Sequence, residues 1–218
     1  MAQTGRIQPL LTPDAPTLVL VDYQPQMAFA VKNIDGQTLI NNAVGLTKTA
    51  KIFGIPTVLT TVAEKSFSGP TFKQITEVIP DATSFDRTTM NFWEDAAVRA
   101  EIERIGRKTV ILGGLWTTAC LTFPAIQMMQ EGYSVYVVAD AAGDVSQAAH
   151  DHAITRMVQA GAVPVTWLQV LLEMQRDWAR QSTYDAVVQT AVEHAGAYGI
   201  GLQYAKAILG EHANEGKG

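Results

Sequence analysis

The sequence predicts a doubly wound α/β sandwich on a mostly parallel sheet, with a helical appendage at its C-terminal end. Three observations predict it. Runs rich in Val, Ile and Leu occur at 17–21, 57–61, 109–112, 134–139 and 163–167 without polar alternation, as strands covered on both faces require. Helical patterns lie between these runs, the rhythm of right-handed crossovers whose sites open beyond the carboxyl ends of the strands. After Trp167 the strands stop and helical spacing alone continues.

The first run, Leu18, Val19, Leu20 and Val21, closes on Asp22. A helix follows, with apolar positions Leu39, Ala43, Leu46 and Ala50, stopping before Gly54 as a left-handed cap. After the strand at 57–61, residues 85–89 form a short additional strand. Val98, Ile102 and Ile105 then share one helical face that ends at Gly106. The strand at 109–112 breaks at Gly113 and Gly114, passes through a loop over 115–119 and precedes a helix reaching Glu131. Residues 110–130 carry no charge and match a membrane helix in length. Glycines, threonines and Pro124 interrupt them, and the pattern changes from β-branched to helical, so they read as strand, loop and buried helix. Beyond the strand at 134–139, a helix starts after Ser146, runs through Ala149, Ala153 and Met157, and ends at Gly161. The tail over 168–209 shows helical spacing at Tyr184, Val187, Val188 and Ala191, packed either on its own domain or on a neighbouring subunit. The Gly-rich end from Gly210 is expected to fray. We divide the chain into a domain over 1–180 and a helical extension over 181–218.

Composition narrows the function. The chain has 218 residues, a net charge of −5, 47% hydrophobic residues and only 17% charged residues, against about 25% charged in a typical soluble domain. The low charge predicts a homo-oligomer. No Lys or Arg stripe suits a phosphate backbone, so nucleic acid is not an expected partner. Cys120 is the only cysteine, which excludes an internal disulfide and suits a reducing compartment. Residues 1–16 show no secretory signal pattern, and the expected location is the cytoplasm.

Cys120 falls at the start of a helix on the sheet edge where sites form, where amides and the helix dipole favour a thiolate. Alone, a single cysteine is more often a small buried hydrophobe. Asp22 emerges at the same edge as a candidate base, with a turn cap or a pair with a lysine as the alternatives. Gln24 lines that mouth. Arg87 either faces the thiolate or forms a surface pair with its neighbour Asp86. Asn91, Phe92 and Trp93 either wall a pocket or anchor the core. His150 and His152 lie two positions apart on a helix and point apart, and His194 and His212 are remote, so no metal site is assigned. Gly113 and Gly114 lack the spacing of a dinucleotide fingerprint, and no cofactor is expected.

With Asp22 ending the first strand, an arginine at 87, and Gly113-Gly114-Leu115-Trp116-Thr117-Thr118-Ala119-Cys120 ahead of a helix, the sequence resembles the isochorismatase-like cysteine hydrolases, in particular their YcaC-related subgroup. The similarity spans about 18–178, including Phe123-Pro124-Ala125, Glu131-Gly132-Tyr133, Gln159-Ala160-Gly161-Ala162 and Arg176-Asp177-Trp178. The resemblance implies a three-layer sandwich on a six-stranded, mostly parallel sheet, and an Asp, Lys, Cys triad that attacks an amide or related carbonyl. Asp22 and Cys120 match two members. The lysine position falls at Arg87, which cannot release a proton, so Asp22 alone would carry the proton and Arg87 would act through charge. The resemblance further implies a non-prolyl cis peptide between Leu115 and Trp116 that aims the Trp116 and Cys120 amides at one point as an oxyanion hole.

The expected substrate is a small molecule, contacted by Gln24, Asn91, Phe92, Trp93 and Thr117. Nicotinamidase-like relatives hold a metal with an Asp and two His after the second strand, whereas 61–67 here offers only Glu64, so nicotinamide is not the expected substrate. Two other readings stay open. Asp22 could protonate a vinyl ether, as isochorismatase does, or Cys120 could serve a thiol sensor or a non-catalytic scaffold.

Overall fold

The computed structural model describes residues 8–210. The end from 211 onward and His212 lie outside the described residues, as do residues 1–7 of the segment read for a signal. The chain runs β1 (Pro16–Val21), α1 (Pro25–Phe29), α2 (Gly36–Ile52), β2 (Thr57–Val62), a π-turn (Glu64–Ser68), α3 (Lys73–Thr76), β3 (Ser84–Arg87), a 3-10 turn (Phe92–Glu94), α4 (Ala96–Ile105), β4 (Thr109–Leu115), a second π-turn (Thr117–Leu121), α5 (Thr122–Gln130), β5 (Ser134–Gly143), α6 (Gln147–Ala160), β6 (Val163–Val165), α7 (Trp167–Gln175), α8 (Gln181–His194) and α9 (Ala197–Leu209).

The six strands form one sheet in the order β3-β2-β1-β4-β5-β6, and all five pairings are parallel. Successive residues of β1 point to opposite faces. Leu18 and Leu20 join a core with α2 and α7, while Val19 and Val21 join another with α4 and α5. Both faces are therefore dry, which explains the missing polar alternation. Burying each such side chain contributes about 1.5–3 kcal/mol.

Several helix ends fall as expected. Ser146 caps α6 by accepting from Ala149 N, and Gly106 and Gly161 end α4 and α6 in the left-handed region. Four strand limits differ from the expectation, the first being β3, which ends at Arg87 and not at 89. β4 does not break at the glycines but runs through them to Leu115. Gly114 pairs with Val21, and a Cβ there would lie 2.0 Å from the Val21 carbonyl oxygen, so only glycine allows the two strands to approach this closely. β5 continues past Ala139 through a bulge, its register jumping from Leu112↔Val137 to Gly114↔Ala142. β6 stops at Val165 because Thr166 accepts from Gln169 N and caps α7, with Asp140 Oδ1 taking the Trp167 amide.

The region over 110–130 is indeed strand, turn and buried helix, and among the described residues no helix is long and apolar enough to cross a membrane. The tail packs on its own chain: α8 lies on α2 and α9 on α8. Asn41 Nδ2 donates to the His194 carbonyl at 2.8 Å, and Lys48 pairs with Glu193.

Candidate active site

The chain winds from β1 outward to β2 and β3, then returns to place β4 on the other side of β1. Such a reversal opens a crevice at the carboxyl ends of the two strands. Asp22 follows β1 and Cys120 follows β4, so the topology brings both to that crevice.

Asp22 adopts φ 53°, a left-handed conformation that aspartate tolerates better than most residues. Its amide donates to Thr60 O at 3.0 Å, and its carbonyl accepts from Gln24 N at 2.7 Å. The carboxylate is fully buried. Oδ1 accepts from Thr60 Oγ1 at 3.1 Å and Oδ2 accepts from Arg87 Nη2 at 2.7 Å. Arg87 therefore pairs with Asp22, not with its neighbour Asp86, which accepts from Thr61 and from Glu64 N. A second guanidinium nitrogen donates to the Thr89 carbonyl.

Cys120 sits in the second π-turn, just ahead of α5, and is 4% exposed. Its thiol lies close enough to Asp22, Arg87 and the Trp116 amide to be coupled electrostatically to all three. Burial, reinforced by the Asp22 charge, pushes the thiol up to about 12, with Arg87 and the Trp116 amide opposing. Loss of solvent thus opposes the thiolate that the helix start favours. Burial also raises the Asp22 carboxyl above its ordinary range, against the pull of Arg87. Arg87 cannot deprotonate, so a neutral Asp22 would leave a guanidinium buried alone, and the pair holds the carboxylate.

The Leu115–Trp116 peptide is cis. Asp144, at the end of β5, fastens the turn that follows it. Its Oδ2 accepts from Thr118 N at 2.6 Å and from the Thr118 hydroxyl. Its own amide donates to Asn33 Oδ1 at 2.7 Å. On α6, His150 Nδ1 lies 2.9 Å from Thr117 Oγ1. Sequence reasoning missed Asp144, Thr60 and His150 in these roles, because strand pairing and bulges decide which loops meet.

The other residues read as substrate contacts are held by the protein itself. Gln24 donates to Val62 O and Gly69 O and accepts from Val62 N. Thr117 is bound to Gly143 O and His150. Asn91 accepts from Trp93 N and donates to Gln127. Phe92 and Trp93 lie in the core cluster that includes Cys120, and Trp93 donates to Glu131. Among the described residues, no group of three His, Cys, Asp or Glu is placed to hold a metal ion.

Residues 16–169 match the isochorismatase domain family. The chain belongs to that family. It is 34% identical to the Escherichia coli K12 protein named "Probable hydrolase YcaC" over 162 residues, covering 74% of this chain and 78% of that protein. The solved structure of the E. coli YcaC gene product, described as an octameric hydrolase of unknown specificity, is similar with a TM-score of 0.88 at 30% identity, covering 93% of this chain and 99% of that one. YcaC from Pseudomonas aeruginosa, solved with hexane-2,5-diol and covalent acrylamide, gives 0.85 at 29%, covering 89% and 96%. The isochorismatase-family chain described here is thus YcaC-like in sequence and in fold.

Proposed function

We propose that this chain is a cysteine hydrolase that cleaves a small amide or related C–N bond through an acyl–Cys120 intermediate. The observation that carries the reading is the placing of the Cys120 thiol beside Asp22, which is itself ion-paired to Arg87. A thiol pushed up to about 12 is a poor nucleophile until a base removes its proton in step with attack. Asp22 is that base.

As the sulfur bonds to the carbonyl carbon, Asp22 takes the thiol proton, and the carbonyl oxygen becomes an oxyanion received by the Trp116 and Cys120 amides. Collapse breaks the C–N bond, and Asp22 hands its proton to the departing amine. Water then attacks the thioester while Asp22 takes a water proton. The acid leaves, and Asp22 returns the proton to the sulfur. Arg87 moves no proton in this cycle and holds the carboxylate by charge.

Acrylamide is an electrophile that thiolates attack. Its covalent presence in the Pseudomonas relative supports a reactive cysteine in this architecture. A high thiol pKa and 4% exposure do not suit a redox sensor, which needs an accessible thiol of low pKa. The octameric state described for the E. coli relative and the low charge content support a homo-oligomer, and the lone reduced cysteine supports the cytoplasm. The test is a panel of small amides assayed with wild type and Cys120→Ala. The proposal expects hydrolysis only with the sulfur present, and wild-type turnover in Cys120→Ala overturns it.

A further inference from the structure

Charge is unevenly divided at the carboxyl edge of the sheet. The segments that follow β1 to β5 there are 22–35, 63–72, 88–95, 116–121 and 144–146. They carry the carboxylates of Asp22, Asp35, Glu64, Glu94, Asp95 and Asp144. Against these six stand three cations, Lys32 and Lys65 in the same segments and Arg87 at the end of β3. Both lysines are exposed, and an ammonium in water gains little from pairing with an anion. Arg87 is already engaged. One guanidinium nitrogen donates to Asp22 Oδ2 at 2.7 Å and another to the Thr89 carbonyl, with both side chains of the pair shut off from solvent. The two charges nearest the sulfur therefore offset each other, and Cys120 otherwise belongs to an apolar cluster with Val21, Phe92, Leu121 and Ala142. A carboxylate on a substrate would lose its water beside Asp22 with no free cation among the buried described residues to meet it, and a charge buried without a partner is costly.

We propose that the site selects an uncharged substrate, a small amide whose acyl group is apolar and carries no carboxylate or phosphate, and that the acidic edge turns anionic amides away. The proposal rests on the hydrolase reading and narrows its substrate class. The acid product becomes an anion in the same surroundings, so the charge pattern that excludes anionic substrates also favours product release.

The test is alkylation of the full chain at neutral pH by iodoacetamide and by iodoacetate, reagents of nearly equal size of which only the second is charged, followed by intact-protein mass spectrometry. Cys120 is the only cysteine, and the same thiol in the urea-unfolded chain is the reference. Both reagents meet the same fraction of thiolate, so the ratio of their rates cancels the thiol pKa. The ratio of iodoacetamide to iodoacetate rates is expected to be at least about tenfold larger in the folded than in the unfolded chain, as like-charge repulsion at a buried site requires. A smaller increase or a reversal overturns the charge preference and leaves the hydrolase reading standing. The expected ratio together with amide turnover undiminished in Cys120→Ala overturns the hydrolase reading and keeps the charge preference. A folded Cys120 that neither reagent modifies overturns both. As substrates, isocaproamide and succinamate differ by an isopropyl group in place of a carboxylate. The value of kcat/KM is expected to favour isocaproamide by the same factor, and equal or faster turnover of succinamate overturns the proposal.

Discussion

Arg87 Nη2 lies 2.7 Å from Asp22 Oδ2, and both side chains are shut off from solvent. Cutting a buried pair on one side leaves an uncompensated charge, which costs about 3–5 kcal/mol. Arg87→Met is therefore expected to lower stability by about that amount in urea titrations, whereas Arg87→Lys, which keeps the charge, loses less. An Arg87→Met variant as stable as wild type contradicts this account of the pair.

The thiol makes a second prediction. After burial, the Asp22 charge is the largest influence raising the Cys120 pKa, so Asp22→Asn moves the thiol downward from about 12. Alkylation by iodoacetamide, followed against pH by mass spectrometry, is expected to climb toward about pH 12 in wild type without levelling near the ordinary value, and to level at lower pH in Asp22→Asn. A shift in the opposite direction would show that Asp22 does not face the sulfur as an anion.

Much of this site was readable before any coordinates. The run Leu18–Val21 ending on Asp22, the turn leading to Cys120 and the caps Ser146, Gly106 and Gly161 are local signals, and local physics decides them. The pairing of Arg87 with Asp22 is not local. It depends on β3 lying beyond β2 in the sheet, and by sequence alone the adjacent Asp86 is the nearer partner for Arg87. Gly113 and Gly114 looked like a strand break for the same reason, because the close approach of Val21 that requires Gly114 comes from a strand 93 positions earlier in the chain. Asn91, Phe92 and Trp93 are apolar or amide side chains near a turn, and only packing distinguishes a core anchor from a pocket wall.

That close approach yields a third prediction. Gly114→Ala would set a Cβ 2.0 Å from the Val21 oxygen, a backbone clash that side-chain movement cannot relieve. The expected destabilisation is at least about 3 kcal/mol, read as a lower urea midpoint, and a shift below about 1 kcal/mol would contradict the β1–β4 geometry.

Stability should also fall in acid through His194, which Asn41 Oδ1 holds at 3.0 Å and which lies edge-on to Trp167. Burial and then Lys48 lower its pKa below 6.5, against Glu193. The unfolded chain takes up a proton near pH 6.5 that the folded chain resists, so stability is held above that pH and lost as the pH drops below it. His150 is lowered by burial in the same sense. The melting temperature is expected to fall between about pH 7.5 and about pH 5.5, less steeply in His194→Gln. An identical slope in that variant would remove His194 from the explanation.

The most direct measurement is intact-protein mass spectrometry after acid quench of wild type mixed with an activated small amide during turnover. An acyl mass increment that maps to Cys120, is released by hydroxylamine, and is absent from Asp22→Asn and Cys120→Ala is the predicted result. Steady hydrolysis with Cys120 unmodified in every quench, or hydrolysis undiminished in Cys120→Ala, would contradict the covalent route.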